Sequence, residues 1–295
     1  MKKYLFFVIV IFCSEICLAQ QKDTVSKTQD VPTAEELYDK AIDYLLGENG
    51  VNIDTLKAKE LFERSANMGF TRALVDRGCL EKSGAPALVW LKQAAAKDCK
   101  YAMYPMYLIY RNGQGVVKDV DEANRWLKIG AELGCAKCQW LLGCNYHYGE
   151  DGFPVNVNQA IFWLERAAYQ NQDDAMEELG EIFHDGILVK RNTNKTLYWY
   201  QKAAELKNKI AIERLAGMYQ YGDGVDVNKE KAFKLMKEAA SLGSPTAQFN
   251  TGIMYSEGIG CDQDRNASRY WWGIALKNPK ITPEDKEILK RWLDE

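Results

Sequence analysis

Two cysteines three residues apart are the residues in this sequence whose types and spacing most clearly suggest a chemical reaction. Cys135-Ala-Lys-Cys138 has the spacing of a thiol redox motif, and it lies at a predicted helix start, where a thiolate is stabilised. A thioredoxin-like site would also need a surrounding β-α-β pattern, which the sequence lacks. Two interpretations stay open: a redox pair, or two small residues at positions where neighbouring segments also carry small residues.

The remaining cysteines allow a metal site or a disulfide bond. Zinc held by Cys99, Cys135 and Cys138 would need a fourth ligand, and no histidine is placed beside them, so we predict no metal. A bridge from Cys138 to either Cys99 or Cys135 is geometrically the easiest, and unbridged thiols are the alternative. The sequence does not decide the connectivity of Cys79, Cys99, Cys135, Cys138, Cys144 and Cys261.

Other catalytic machinery is missing from the sequence. There is no Ser-His-Asp grouping, no phosphate-binding loop and no HExxH motif, and the chain contains only 2 histidines. A net charge of -3 supplies no general attraction for phosphate backbones, so nucleic acid is not expected as a partner. We therefore predict a protein without enzymatic activity and without a cofactor.

The N-terminal segment reads as an export signal. A cationic start, Met1-Lys-Lys3, precedes an apolar run from Tyr4 to Phe12 that is too short to cross a bilayer. Cleavage after Ala19 would place small or uncharged residues where a signal peptidase needs them; retention as an uncleaved anchor is the alternative. We predict a signal peptide over residues 1–19, a periplasmic or secreted location, and no stable membrane span after cleavage.

One helical pattern then recurs along the chain. A typical copy is Trp126-Leu-Lys-Ile-Gly-Ala131, and its first residue, here called the lead residue, returns about every 36 positions. The seven lead residues are Leu61, Trp90, Trp126, Trp163, Trp199, Leu235 and Trp271. Because the tryptophans follow the period of the repeat itself, we interpret them as structural.

A second pattern runs in phase with the first. Copies such as Tyr219-Gln-Tyr-Gly222 follow small residues at helical spacing, and glycine suits the tight helix exit that comes next. Seven residues before six of the lead residues stands an Asx side chain suited to N-capping a helix: Asp54, Asp119, Asn156, Asn192, Asn228 and Asp264. Each unit is therefore predicted to be a helix-turn-helix hairpin that buries its apolar face only by stacking.

The predicted boundaries follow from these signals. Residues 20–32 are polar and form a flexible lead-in, and Thr33-Ala-Glu-Glu36 opens the first helix with a capping box. Residues 33–278 hold about seven repeats of an all-α solenoid. Thr282-Pro-Glu-Asp285 begins a C-terminal capping helix within residues 279–295.

Taken together, these residues resemble Sel1-like repeats, which are relatives of the tetratricopeptide repeat. The motifs that carry the resemblance are most complete from Ala102 to Ala131 and from Ala211 to Ala240. The resemblance implies a right-handed superhelix whose first helices line a concave groove, and a role as an adaptor that binds a protein or peptide. An envelope enzyme is the alternative, either thiol-redox or acting on cell-wall or β-lactam substrates, as proposed for cysteine-rich relatives.

By analogy with tetratricopeptide grooves, a defined set of side chains should point into that concave surface. They are aromatic and apolar in the third and fourth repeats and acidic in the fifth and sixth. The predicted binding residues are Tyr104, Leu108, Arg111, Trp140, His147, Glu177, Glu181, His184, Glu213 and Phe249. The two histidines share one position in successive repeats, so a metal-binding or pH-responsive pair is one interpretation and solvated rim residues are the other.

Overall fold

The computed structural model describes residues 31–294. The predicted signal peptide, and all of the lead-in except its last two residues, lie outside these described residues. Fifteen α-helices and one short 3₁₀ helix, Lys100–Ala102, make up the described chain, which contains no strand. The helices are α1 Ala34–Leu46, α2 Thr55–Asn67, α3 Thr71–Cys79, α4 Gly84–Ala95, α5 Met103–Asn112, α6 Val120–Glu132, α7 Ala136–Tyr148, α8 Val157–Ala168, α9 Asp173–Asp185, α10 Thr193–Glu205, α11 Lys209–Tyr221, α12 Lys229–Ser241, α13 Pro245–Glu257, α14 Arg265–Lys277 and α15 Pro283–Asp294.

The odd-numbered helices α1 to α13 are the first helices of the seven repeats, and α2 to α14 are the second helices. Every one of the six predicted Asx residues is the N-cap of a second helix and accepts a hydrogen bond from its first turn. The Thr33 capping box is also formed. At α6 the Glu122 carboxylate accepts a hydrogen bond from the Trp126 indole at 2.7 Å.

A backbone hydrogen bond closes the loop inside each of these six repeats. The N–H of the N-cap residue donates to the carbonyl of the aromatic residue near the end of the first helix, nine or ten positions earlier. The pairs are Asp54 to Tyr44, Asp119 to Tyr110, Asn156 to Tyr146, Asn192 to Phe183, Asn228 to Tyr219 and Asp264 to Tyr255. The glycine that ends the first helix has a positive φ, as at Gly222 with 71°, so the chain can reverse there.

The chain forms two compact units, one ending at Leu142 and the other beginning at Gly143. In the first unit, α1 to α5 bury a continuous cluster that includes Phe62, Leu91 and Met106. In the second unit, α11 to α13 bury a cluster around Ile212 and Met236. Each core is therefore built by neighbouring helices in chain order, as expected for stacked hairpins.

Each second helix buries a large side chain one position after the lead residue. Residues at this position are at most 9% exposed: Phe62, Leu91, Leu127, Leu164, Tyr200, Met236 and Trp272. Small residues of the first helix make room for them, because a Cβ on Gly180 would lie 2.3 Å from the Tyr200 ring and one on Gly252 would lie 2.2 Å from Trp272. Close packing of a large side chain on a glycine thus joins the two helices of a hairpin.

Most of the lead tryptophans are less buried than their interpretation as structural residues suggests. Trp199 is buried, but Trp90, Trp126, Trp163 and Trp271 are only half-buried. The physical reason is helix geometry: a rotation of about 100° per residue turns the next position, and not the lead residue, toward the first helix.

The last helix, α15, packs against the end of the second unit. Leu289 is fully buried with Trp272 and Ala275. The ring of Trp292 lies 4.9 Å from that of Trp272 and stacks on Phe249 at 5.6 Å. This amphipathic helix therefore covers apolar side chains of α13 and α14.

We expect Gly180→Ala to destabilise the protein, because the added methyl group would collide with a tyrosine ring that Glu181 also holds by a 2.6 Å hydrogen bond. The expected loss is about 1–3 kcal/mol. Gly217→Ala is the matched control: a Cβ there meets nothing within 4 Å, so better helix propensity should raise stability by up to about 1 kcal/mol. Urea unfolding midpoints measure both, and equal effects of the two variants would contradict this packing.

Candidate functional site

The ten predicted binding residues share one degree of burial. Each is half-buried, neither inside the core nor fully exposed. All of them lie on first helices, from α5 to α13. Side chains with this exposure can contact a ligand while their stems remain fixed by the fold. Because the two compact units are described separately, the residues divide into a first set up to Trp140 and a second set from His147.

The first set consists of Tyr104, Leu108 and Arg111 on α5 and Trp140 on α7, and its two aromatic members are Tyr104 and Trp140. The Lys137 ammonium group lies 5.7 Å from the Tyr104 ring centre, which brings the first turn of α7 beside α5. Trp140 follows Lys137 by three residues, so it occupies the same face of α7 one turn later. The Tyr104 ring also lies parallel to that of Tyr107 at 6.3 Å. Two half-buried aromatic side chains on successive first helices, with Lys137 beside the Tyr104 ring, thus belong to this set.

The acidic members of the second set, Glu177, Glu181 and Glu213, lie on α9 and α11. Arg214 of α11 donates to the Glu181 carboxylate of α9 at 3.0 Å, and the Tyr200 hydroxyl donates to the same carboxylate at 2.6 Å. Glu177 lies one turn before Glu181. Burial, together with the charges of Glu178 and Glu181, raises the Glu177 pKa to about 7. The repeat pattern predicts these acids but not Arg214, because its contact joins two helices, α9 and α11, that are separated in the sequence by α10.

The two histidines differ in their surroundings although they share a position in the repeat. His147 Nδ1 lies 2.5 Å from Glu178 Oε1, whereas His184 Nε2 lies 2.8 Å from Asp223 Oδ2. Each imidazole contacts a carboxylate of the following repeat, a pairing that the interpretation as solvated rim residues does not include. Arg191 also pairs with Asp223. These contacts connect successive repeats within the second unit.

Phe249 differs from the other members of the second set because it contacts the last helix, α15. Its ring stacks on Trp292 of α15, and its carbonyl accepts from the Trp272 indole at 3.2 Å. The structure therefore brings Phe249 to the α15 contact, while Glu177, Glu181 and Glu213 remain on the neighbouring first helices.

The Cys135 and Cys138 thiols are in contact but do not form a bridge. Within residues 31–294 there is no disulfide, so neither of the expected bridges of Cys138 is formed. A hydrogen bond with Cys138 holds the Cys135 pKa at about 7, below its usual value. Cys135 is 6% exposed and Cys138 is fully buried against Gly130. The electrostatics favour a thiolate, but burial keeps a large substrate away from either sulfur atom.

Cys144 lies on the same helix as His147, whose imidazole contacts Glu178. This grouping contains the residue types of a cysteine nucleophile with its base and orienting acid. Burial and the charges of Glu178, Asp174 and Glu177 raise the Cys144 pKa instead of lowering it. The surroundings therefore disfavour the thiolate that nucleophilic attack requires.

The described helices and loops, residues 31–294, contain neither a metal-binding cluster nor a helix suited to cross a membrane. No group of three or more His, Cys, Asp or Glu residues in this part of the chain could hold a metal ion. Among the same residues, no helix combines the length and apolar character that a membrane crossing requires.

We expect Glu177→Gln to stabilise the protein at pH 8 and to have little effect at pH 4. The folded chain holds the Glu177 proton more tightly than the unfolded chain, whose carboxyl has a pKa near 4.5. Stability is therefore lost as the pH rises from about 4.5 to about 7, and the neutral amide escapes this loss. One pKa unit corresponds to about 1.4 kcal/mol, so the gain at pH 8 is on the order of 1–3 kcal/mol.

Urea unfolding at the two pH values measures this difference. Glu178→Gln is the comparison variant: it removes a charge that raises the Glu177 pKa, so the loss of stability between pH 4 and pH 8 should become smaller than in the wild-type protein. A gain for Glu177→Gln that is equal at pH 4 and pH 8 would contradict a raised pKa at this carboxyl.

Comparisons with known proteins identify the repeat. The sequence model of the Sel1 repeat matches seven segments, which together cover most of the chain. These segments are residues 44–70, 78–99, 100–135, 136–172, 173–208, 210–244 and 245–278.

Similar proteins agree with this match. The Sel1-repeat-containing protein YjcO of Escherichia coli strain K12 is 26% identical over 147 residues, which are 45% of this chain and 64% of YjcO. The match thus spans less than two thirds of that relative. The crystal structure of a Sel1 repeat protein from Oxalobacter formigenes has a TM-score of 0.71 at 22% identity, covering 88% of this chain and 76% of that one. A protective antigen from uropathogenic Escherichia coli, c5321, has a TM-score of 0.70 at 25% identity, covering 88% and 56%.

The repeat segments account for the hairpins, their caps and the solenoid stacking described above. The chain belongs to the Sel1 repeat family.

Proposed function

We propose that this protein is an exported scaffold that binds a protein or peptide partner on the inner faces of its first helices. Sel1 repeats are a scaffold type for protein–protein interaction, and members of the family are typically not enzymes. The observation that carries the proposal is the pair of half-buried aromatic side chains, Tyr104 and Trp140, on successive first helices. Rings of this kind are strong anchors in interfaces because they bury a large area and lose little conformational entropy.

Two further features support a binding role. Backbone groups in the helices are satisfied by helical hydrogen bonds, so specificity must come from side chains on the inner face. Those side chains are held in place: Lys137 lies over the Tyr104 ring, and Glu181 is fixed by both Tyr200 and Arg214. Such ordering before binding reduces the entropic cost of forming a complex.

The double variant Tyr104→Ala with Trp140→Ala should lose partner capture. Removing two aromatic anchors is expected to weaken binding at least about tenfold, because interface aromatic residues commonly contribute 2 kcal/mol or more. The measurement is crosslinking in cells followed by quantification of the crosslinked partners. Circular dichroism of the purified variant checks that the helices persist.

The matched control is Tyr198→Ala with Tyr270→Ala. These two tyrosines are exposed aromatic residues of second helices α10 and α14, outside the proposed surface. Their loss should leave capture unchanged. Equal capture by the wild-type protein and the Tyr104/Trp140 variant would overturn the proposed site.

Export is a separate part of the proposal and has its own test. The cationic start and the apolar run from Tyr4 to Phe12 support translocation with cleavage after Ala19. N-terminal sequencing of the protein recovered from a periplasmic extract is expected to begin at Gln20. Recovery of a protein that begins at Met1 in the cytoplasmic fraction would contradict export.

A further inference from the structure

A cleft in the second unit lies between the first helices α11 and α13. Its volume is about 560 Å³, which is within the range of pockets that bind ligands. Gly217 lies on its α11 side, and a Cβ there would meet nothing within 4 Å. The missing side chain thus leaves a hollow in the helix surface. The other helical glycines with tight surroundings, such as Gly180, are filled by a side chain of the chain itself.

The walls of the cleft combine apolar and acidic side chains. Ile210, Ile253 and Met254 provide apolar surface, while Glu213 and Glu257 provide carboxylates. Among the described residues that line the cleft, Arg214 is the one cation, and it is engaged by Glu181 at 3.0 Å. A ligand group in this cleft therefore meets acidic groups beside an aliphatic wall.

The neighbouring charges reinforce this negative character. Glu177 and Glu178 lie on α9, next to the Glu181 that pairs with Arg214; burial, and then the charges of Glu178 and Glu181, raise the Glu177 pKa to about 7. Lys209 and Arg214 act on Glu213 in the opposite direction, and Glu213 also has a hydrogen bond with Ser244. Burial still raises the Glu213 pKa overall, so a bound cation would stabilise its charged form.

We propose that this cleft binds an arginine side chain of an extended peptide segment. Arginine combines an aliphatic stem, which can lie along Ile253 and Met254, with a planar cation that can form paired hydrogen bonds with one carboxylate of the wall, Glu213 or Glu257. Tyr221, which is 77% exposed at the cleft edge, offers a ring face on which a guanidinium group can stack. This inference rests on the proposed binding function and adds the chemistry of the partner.

The test uses fluorescence polarisation with purified protein and three labelled octapeptide pools. All positions are degenerate except the fourth, which is arginine, its neutral isostere citrulline, or glutamate. The arginine pool should bind about tenfold more tightly than the citrulline pool, because citrulline cannot form a charge-assisted hydrogen bond with a carboxylate. The glutamate pool should bind most weakly. Glu213→Gln should weaken the arginine pool without weakening the citrulline pool.

Two glycine variants test the position of the cleft. Gly217→Leu fills the hollow and should weaken the arginine pool about tenfold, whereas Gly273→Leu should not change it. Gly273 is the matched control because it is also helical and a Cβ there also meets nothing within 4 Å, but it lies on the second helix α14.

The outcomes separate this inference from the proposed function. Equal affinities for the arginine and citrulline pools, or an unchanged affinity of Gly217→Leu, would overturn the inference. If no pool binds while partner capture still depends on Tyr104 and Trp140, the inference fails and the proposed function stands. An arginine preference that Gly217→Leu removes would support the cleft, even where capture proves independent of those two aromatic residues.

Discussion

The fit of one large side chain against one glycine determines how the two helices pack in three hairpins of the second unit. In the second unit, Leu164, Tyr200 and Trp272 contact Gly143, Gly180 and Gly252 respectively, at distances that leave no room for a Cβ. The large residue changes from leucine to tyrosine to tryptophan. Its type therefore varies among these hairpins, whereas the glycine that makes room for it is the same in all three. Hydrophobic burial supplies the driving force, and the small residue makes the burial geometrically possible.

Much of this arrangement could be predicted from the sequence because its signals are local. An Asx side chain caps the helix that follows it, and a glycine ends the helix that precedes it, so Asn228 and Gly222 define a loop within a few residues. The burial of the position after the lead residue was missed. An uninterrupted series of large apolar residues at that position, including Leu127 and Met236, was the available signal.

The residue types of the proposed binding surface could be predicted from the sequence, but their contacts could not. Repeat spacing predicted that Tyr104, Glu181 and Glu213 lie on the corresponding faces of three first helices. It could not identify Arg214 as the partner of Glu181, since that contact joins two helices separated by a third. The same limit applies to the histidines. They occupy the same position in two repeats, but one imidazole contacts Glu178 and the other contacts Asp223. Side chains at the rim depend on their neighbours, which the repeat does not specify.

The backbone hydrogen bond between the N-cap residue and the preceding aromatic residue has an evolutionary consequence. It joins the two ends of the interhelical loop directly, so the intervening segment can change without moving the helices. The loop that ends at Asn156 holds an additional residue, and the loop after Gly186 has Leu188 in place of a second glycine, yet both keep the bond. Lengthening such a closed loop costs little entropy. These loops can therefore diversify, or accept a grafted epitope, while the helical framework is inherited unchanged.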